Sequence, residues 1–441
     1  MIKIGMASLG CPKNQVDAEM ILSKLKDKGY EITPYEQEAQ VIIVNTCGFI
    51  ESAKQESIDT VLELAELKKT GKLKCLIVTG CLAERYREQL KEQIPEIDTV
   101  VSIGRNDEIA DIIEKSLGGQ KDDCFGEKEN LPLCGGRVLI SEPYFAYIKI
   151  AEGCNNRCTY CAIPSIRGRL RSRTVESVVE EAKTLAQKGV KELIVVAQDT
   201  TRYGEDIYGE CRLSQLLTEL CKIDGIHWIR LLYAYPDRLT DDIIDVMARE
   251  PKIVKYIDLP IQHCCGEVLS RMNRPGDRES LEKTIEKLRK KIPGITVRTT
   301  LIAGFPGETE EQFCALSDFV KKMRFERLGC FAYSAEEGTP AAEFDDQLSE
   351  QEKNKRAEII MDRQAVISDE LSEQKVGQSV EVLVEGYDTY IKHFYGRTPA
   401  DAPDIDCKIF FKSKNKPSPG DFVKVRVTDV LDMDLLGEEE A

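Results

Sequence analysis

Three cysteines within eight residues are the part of the sequence best suited to chemistry: Cys154, Cys158 and Cys161. They directly follow an apolar, strand-like run at residues 145–150. Thiolates are the usual protein ligands of iron-sulfur clusters, and a four-iron cluster normally takes four of them. A loop that offers three therefore predicts a four-iron, four-sulfur (4Fe-4S) cluster with one iron left open to a substrate or a cofactor.

Two other uses of clustered cysteines fit the sequence less well. A structural zinc site needs a second ligand pair nearby, but the next cysteine is Cys211 and the nearest histidine is His227. A disulfide would leave one thiol over, and nothing in the sequence indicates an oxidising compartment. His263 beside Cys264 and Cys265 gives no usable chelate spacing, so we expect these residues to be structural.

Three more cysteines stand at equivalent places in the first part of the chain. Cys11, Cys47 and Cys81 each end a strand-like run and precede a helix-like segment. The carboxyl ends of parallel strands share one edge of a sheet, so these thiols are predicted to converge as ligands of a second 4Fe-4S cluster. The alternative is that they are small buried apolar residues. Cys75 begins its strand, at the opposite edge, and is expected in the core.

Strand and helix patterns predict an α/β protein with three domains. Residues 1–117 alternate strands and helices as a parallel α/β sheet does, and residues 118–142, rich in glycine and charge, read as a linker. Residues 143–374 hold six strand and helix units and a long exit helix, which predicts a partial, open-sided (β/α)6 barrel. Residues 375–441 show the alternation of a small antiparallel β-barrel, with a disordered tail at 437–440.

Polar and glycine-rich sequence follows two strands of the predicted barrel, on the face where such barrels keep their sites. Gln198 and Asp199 follow the second strand, and Gly304, Gly307 and Glu308 follow the fifth. Glycines let a backbone approach a ligand closely, while the polar side chains can bind amino and hydroxyl groups. Each could also be a turn with a helix cap. Together they predict the binding site of a nucleoside-bearing cofactor.

Charge and hydropathy limit the partners. The net charge is -16, with 61 Lys and Arg against 77 Asp and Glu, which opposes non-specific attraction to a phosphate backbone. The last predicted domain is acidic too, and this suits a basic protein better than RNA. No apolar run approaches the ~20 residues that cross a bilayer, and the first residues lack the form of a signal peptide. We therefore expect a cytoplasmic protein that binds no membrane.

The spacing of the Cys154 loop, with Tyr160 before its last cysteine, resembles the cluster loop of the radical S-adenosylmethionine (SAM) enzymes. Together with the three N-terminal cysteines and the small last barrel, it resembles the methylthiotransferases over essentially the whole chain, and the last domain looks like their TRAM module. Residues 9–17 and 196–204 are similar to the RimO-type branch, which acts on a ribosomal protein. The tRNA-modifying branch usually has Gln-Met-Asn after the first of these cysteines.

This resemblance implies a separate role for each cofactor. The Cys154, Cys158 and Cys161 cluster would bind SAM and generate a radical, and the cluster of the N-terminal cysteines would hold or deliver sulfur. The substrate would be an aspartate of the twelfth protein of the small ribosomal subunit, modified at its β-carbon, with a second SAM as methyl donor. A low-potential electron donor and a sulfur donor would be partners. The two clusters would have to face each other.

Two other functions stay open at this point. The same chemistry could act on a modified adenosine in tRNA, although the acidic last domain makes tRNA an unlikely partner. The chain could instead be a non-catalytic iron-sulfur protein that binds RNA. That hypothesis leaves Gln198, Asp199 and the segment 304–308 without a role.

Overall fold

Two parallel sheets, a two-stranded antiparallel sheet and one small closed barrel make up the structure, a computed structural model that describes residues 2–440. Met1 and Ala441, the outer limits of the first and last predicted domains, lie outside the described residues. The α/β fold class and the three architectures expected from the sequence are confirmed. Within the described residues, no helix combines the length and the apolar character needed to span a membrane.

The first sheet contains five parallel strands: β1 (Lys3–Ser8), β2 (Glu31–Ile32), β3 (Val41–Thr46), β4 (Cys75–Gly80) and β5 (Thr99–Val100). They lie in the order β2-β1-β3-β4-β5. The helices of this domain are α1 (Pro12–Asp27), α2 (Glu51–Ala65), α3 (Leu67–Thr70), α4 (Cys81–Gln93) and α5 (Ile109–Leu117). Every residue of β3 and β4 is buried, as expected of central strands covered on both faces.

The central region begins with β6 (Phe145–Lys149), β7 (Ala151–Glu152) and β8 (Arg171–Ser172), and continues with β9 (Glu192–Val196), β10 (Trp228–Leu231), β11 (Ile253–Asp258), β12 (Thr296–Ala303) and β13 (Arg327–Ala332). β7 and β8 pair with each other. The other six form a parallel sheet in the order β13-β12-β11-β10-β9-β6. All six predicted strands are confirmed, and β6 and β13 remain as edges, so the barrel is open.

The helices of the central region are α6 (Ile163–Arg167), α7 (Val175–Gln187), α8 (Glu205–Tyr208), α9 (Leu213–Cys221), α10 (Asp241–Arg249), α11 (Gly266–Arg271), α12 (Arg278–Lys291), α13 (Glu310–Met323) and α14 (Glu350–Glu373). Ser349 caps α14, because its hydroxyl accepts a hydrogen bond from Glu352 N. α14 packs along β13 and leads the chain to its last domain.

The C-terminal barrel closes through five strands: β14 (Ser379–Asp388), β15 (His393–Arg397), β16 (Ile409–Lys412), β17 (Phe422–Leu431) and β18 (Asp434–Glu439). The prediction of a disordered tail at residues 437–440 is wrong. β18 pairs with both β16 and β17, and Leu435 enters the barrel core beside Val425 and Val427. The acidic composition hid this strand, which the barrel needs because its other four strands leave a gap.

The inner face of the central sheet is covered by two other parts of the chain. Helix α1 contributes Val16 and Met20 to a core shared with Tyr147 and Trp228 of the sheet. The second cover is the connection between β15 and β16, residues 398–408, here called the inner-face loop. Its polar groups pair with buried side chains of the sheet: Arg230 with Pro399 O, Arg327 with Asp401 and Tyr256 with Asp406.

Candidate active site

The Cys154 loop follows β7 at the carboxyl end of the central sheet. Cys154 N donates a hydrogen bond to Gly168 O over 3.1 Å. Asn156 Nδ2 donates to Asp199 Oδ2 over 2.7 Å, which ties the loop to the end of the neighbouring strand β9. The loop is therefore fixed from two sides, on the face where parallel barrels place their sites.

The three thiols of this loop lie close enough to influence one another. Burial raises the pKa of Cys154 to about 11 and that of Cys161 to about 12, and the charge of Cys158 adds to both rises. All 16 cysteines of the chain are free thiols. The described side chains contain no group of three or more His, Cys, Asp or Glu already arranged around a metal ion.

The chemistry of this donor set nevertheless fits an iron-sulfur cluster. Buried thiols that raise one another's pKa become thiolates only when positive charge is brought among them, and iron supplies such charge. Three free thiols from one loop leave one iron of a four-iron cluster without a protein ligand. The loop therefore has the ligands for a cluster with one open position.

The N-terminal cysteines also come together. Cys11 is the N-cap of α1, Cys47 follows β3, and Cys81 is the first residue of α4. Gly10 has a φ of +87°, and a Cβ added there would lie 2.7 Å from Cys47 Cβ, so the first two strand ends touch. Burial, with the charges of Cys11 and Cys47, raises the pKa of Cys81 to about 12, and Arg167 opposes this rise.

The two cysteine sets face each other across the domain interface. Arg167 lies six residues after Cys161, and its Nη2 and Nε donate to Cys81 Sγ over 3.3 and 3.4 Å. Ala162 and Ile166 form a small apolar contact with Cys81. The strand-end edge of the first domain therefore lies over the loop face of the barrel, as expected if the two cysteine sets act together.

A buried network of charges holds this interface, and sequence reasoning missed it. Arg167 donates to Asp17 Oδ2 over 2.5 Å and to Asn14 Oδ1 over 3.0 Å, and it lies 3.3 Å from Glu152. Lys149 pairs with both Asp17 and Glu152. Burial alone would raise the pKa of Glu152, but Lys149 and Arg167 lower it to about 2. Two cations and two carboxylates thus balance in a nearly solvent-free space.

Two predicted cofactor residues lie beside this network. Gln198 Nε2 donates to Glu152 Oε1 over 2.5 Å, while its own Oε1 is buried and has no partner among the described residues. Asp199 accepts from Asn156 and from Thr201, and burial raises its pKa. A buried amide oxygen without a donor fits the amino group of a cofactor. Their binding of a cofactor stays a prediction.

The other predicted cofactor residues contact the exit helix. A Cβ added at Gly304, where φ is +72°, would lie 2.8 Å from Lys353 Cα of α14. Glu308 accepts from Gly304 N and from Arg356 Nη1, both over 2.8 Å. Gly307 N donates to Asp346 O. These contacts give the segment a role in fastening α14, and its role toward a cofactor also stays a prediction.

Two further side chains beside the Cys154 loop carried no sequence signal. The hydroxyl oxygen of Tyr235 lies 3.1 Å from Cys158 Sγ. The guanidinium of Arg274 lies 4.1 Å from the centre of the Tyr235 ring, and its Nη1 is 3.4 Å from the Tyr160 hydroxyl. A buried cation beside the thiols favours their charged forms.

A cavity of about 550 Å³ opens next to Cys11 and is lined by all three domains. Its charged side chains are mainly acidic: Glu142, Glu385 and Asp404, with Lys408 as the cation. The cavity therefore joins one cysteine set to the outside along an acidic wall.

Comparison with known proteins identifies each domain. Residues 3–102 match the Uncharacterized protein family UPF0004, residues 148–320 match the Radical SAM superfamily, and residues 376–439 match the TRAM domain. The solved structure of the radical S-adenosylmethionine methyltransferase TsrM from Kitasatospora setae, with cobalamin and a 4Fe-4S cluster bound, has a similar fold. The TM-score is 0.59 at 14% identity, over 77% of this chain and 73% of that chain.

Curated relatives match along the full length. The ribosomal protein uS12 methylthiotransferase RimO of Lachnoclostridium phytofermentans is 49% identical over 440 residues, 100% of both chains. The RimO of Pelotomaculum thermopropionicum is 51% identical over 439 residues, 99% of both chains. Radical SAM membership implies a 4Fe-4S cluster and SAM as cofactors. The chain is a radical SAM enzyme and belongs to the family of ribosomal protein uS12 methylthiotransferases named RimO.

Proposed function

We propose that the protein inserts sulfur and a methyl group at the β-carbon of an aspartate in ribosomal protein uS12. The observation that carries this proposal is the arrangement of two three-thiol sets on facing domains, joined through Arg167, in a chain that resembles RimO throughout. Such a pairing suits a reaction that must both activate a C–H bond and supply sulfur beside it.

Each cysteine set has its own part in the proposal. Cys154, Cys158 and Cys161 hold the cluster that binds SAM, and Cys11, Cys47 and Cys81 hold a second 4Fe-4S cluster. When bound, the clusters and SAM supply a 5′-deoxyadenosyl radical, a sulfur atom and a methyl group. The chain itself fixes the loop through Asn156 and Asp199, balances charge through the Arg167 network, and excludes water by packing α1 into the barrel mouth.

The acidic cavity beside Cys11 supports a basic protein as the substrate. Glu142 ends the linker, and Asp404 and Glu385, the latter also paired with Arg397, come from the C-terminal domain, so the wall is built by two parts of the chain. A basic segment would be attracted there, whereas the phosphates of a tRNA would be repelled. The other proposed partners are a low-potential electron donor and a sulfur donor. The proposed location of the reaction is the cytoplasm.

The test is an anaerobic reaction with two substrates offered in parallel. The protein is reconstituted with iron and sulfide, reduced, given SAM, and mixed with uS12 or with adenosine-modified tRNA, and both are analysed by mass spectrometry. We expect a methylthio group on an aspartate of uS12 alone. Modification of tRNA alone would contradict the substrate, and absence of product with either would contradict the enzymatic function.

Cysteine variants separate the two sets. Cys158→Ala should abolish formation of 5′-deoxyadenosine, because its loop would lose a cluster ligand. Cys47→Ala should leave that cleavage intact and stop sulfur insertion. Cys314→Ala, at an exposed cysteine of α13, is the control and should change neither. Sulfur insertion by the Cys47→Ala protein would refute the two-cluster proposal.

A further inference from the structure

Lys13 is a buried lysine without a carboxylate partner. Its side chain belongs to the first turn of α1 and is 7% exposed. The other buried lysines of the described chain pair with carboxylates: Lys54 with Glu336, Lys149 with Asp17 and Glu152, and Lys353 with Glu350. Within the described residues no carboxylate oxygen lies within 4.0 Å of Lys13 Nζ. Lysine is rarely buried unless it is paired, so this exception needs an explanation.

The ammonium of Lys13 lies between the first domain and the mouth of the barrel. Lys13 stands two residues after Cys11, and its Nζ is 3.4 Å from the centre of the Tyr233 ring. Tyr233 follows strand β10, and its N donates to Asp258 Oδ2. Besides burial, the groups that influence Lys13 are the Tyr233 hydroxyl, the Cys11 thiol and then Glu152, the carboxylate among them, which Lys149 and Arg167 already neutralise. The ammonium of Lys13 therefore lies at the carboxyl ends of the strands of both parallel sheets.

Contact with an aromatic ring offsets only part of what it costs to remove an ammonium from water. A carboxylate brought by a ligand would complete the compensation, in a place where water screens the attraction weakly. The contact with Tyr233 alone gives no reason to keep this cation, since an apolar chain of the same length would pack on the ring without a desolvation cost.

We propose that Lys13 binds the carboxylate of the aspartate that the enzyme modifies. This inference rests on the proposed function and adds the residue that recognises the target side chain. When Lys13 holds the carboxylate, the carboxylate carbon is fixed between the two cysteine sets. The β-carbon of the aspartate is bonded to that carbon and is therefore held there too. A neutral amide or an adenine base would leave the ammonium unpaired, so Lys13 selects an acidic side chain.

The test measures two enzyme variants, each with two substrates. Wild-type protein and Lys13→Met are each given uS12 with its native aspartate or with asparagine at that position. Dissociation constants are measured on cluster-loaded enzyme without reductant, and kcat/KM is measured in the full reaction. A hydrogen-bonded charge pair corresponds to a preference of about 10- to 100-fold, which we expect for wild type and expect Lys13→Met to lose.

Two control variants keep the result interpretable. Lys26→Met removes an exposed cation from the same helix and should keep the wild-type preference. Lys13→Arg keeps the charge and should retain a preference for aspartate. The melting temperature of cluster-free Lys13→Met should equal or exceed that of wild type, which excludes misfolding as the cause.

The outcomes separate the two proposals. If Lys13→Met discriminates aspartate from asparagine as strongly as wild type does, Lys13 does not bind the carboxylate and this inference is overturned. If wild-type enzyme modifies neither form of uS12, the proposed function itself fails, and the inference that rests on it fails too. Loss of the preference in Lys13→Met alone supports both.

Discussion

Replacing Arg167 by Gln should open the interface between the first domain and the barrel. The guanidinium is fully buried and contacts Asp17, Asn14, Glu152 and Cys81. Without it, two buried carboxylates would share Lys149 as their remaining cation. Breaking a buried ion pair by removing one partner costs about 3–5 kcal/mol, because a charge stays buried without compensation.

A second substitution tests whether charge is the cause. In Arg167→Gln with Asp17→Asn the network keeps one cation and one carboxylate, so its charge balances again. The double variant should regain most of the lost free energy of unfolding and remain about 1–2 kcal/mol less stable than wild type, because some hydrogen bonds are still missing. A purely steric role for Arg167 would instead make the two substitutions additive or worse.

The single tryptophan provides the assay. Trp228 is 3% exposed in the core that α1, the central sheet and the C-terminal barrel share, and its Nε1 donates to Glu381. Its fluorescence during urea titration of the cluster-free, reduced protein therefore reports separation of these parts. The matched control is Arg137→Gln, which removes an equally buried cation paired with Glu19 of the same helix.

Asp17→Asn should rescue Arg167→Gln and fail to rescue Arg137→Gln. If the double variant at the Arg167 network unfolds at the same or a lower urea concentration than Arg167→Gln alone, the charge-balance reasoning is refuted.

Two further outcomes follow from single residues. Burial lowers the pKa of His263 from its ordinary 6.5 to about 3. As the pH drops between these two values, the imidazole is protonated in the unfolded chain but not in the folded one. The free energy of unfolding therefore falls by about 1.4 kcal/mol per pH unit in this range. His263→Asn should flatten the loss of urea resistance below pH 6.5, and equal slopes would contradict this. Gly10→Ala should displace Cys47 and lose about half of the bound iron. Gly29→Ala, at a similar φ of +86° with open space around it, should keep all of the iron.

The local pattern of apolar residues was enough to predict much of the fold. Six apolar runs predicted the six strands of the central sheet, because buried parallel strands are nearly continuous in apolar residues. Cys11, Cys47 and Cys81 were brought together by topology alone, since parallel strand ends share an edge. The prediction of a disordered acidic tail is wrong because the acidic composition hides the alternation around Leu435 that makes β18 a strand.

The pairings between domains could not be predicted in the same way. Asp17 and Arg167 are separated by 150 residues, and nothing in either local sequence indicates the other. Lys13 looks like an ordinary polar residue of a helix start, and only the packing of α1 into the barrel mouth makes it buried. Such contacts depend on how whole domains meet, which periodicity does not encode.

The inner-face loop makes the catalytic barrel dependent on the last part of the chain to be synthesised. A ribosome delivers the polypeptide from its N-terminus, and domains usually fold in that order. Here Arg327 finds Asp401 only after the third domain has emerged, and Arg230, already paired with Glu192 of the central sheet, then gains Pro399 O. A nascent or truncated chain that stops after α14 leaves Arg327 without Asp401 and Arg230 without Pro399 O, so the inner face of the central sheet is completed only when translation is nearly finished.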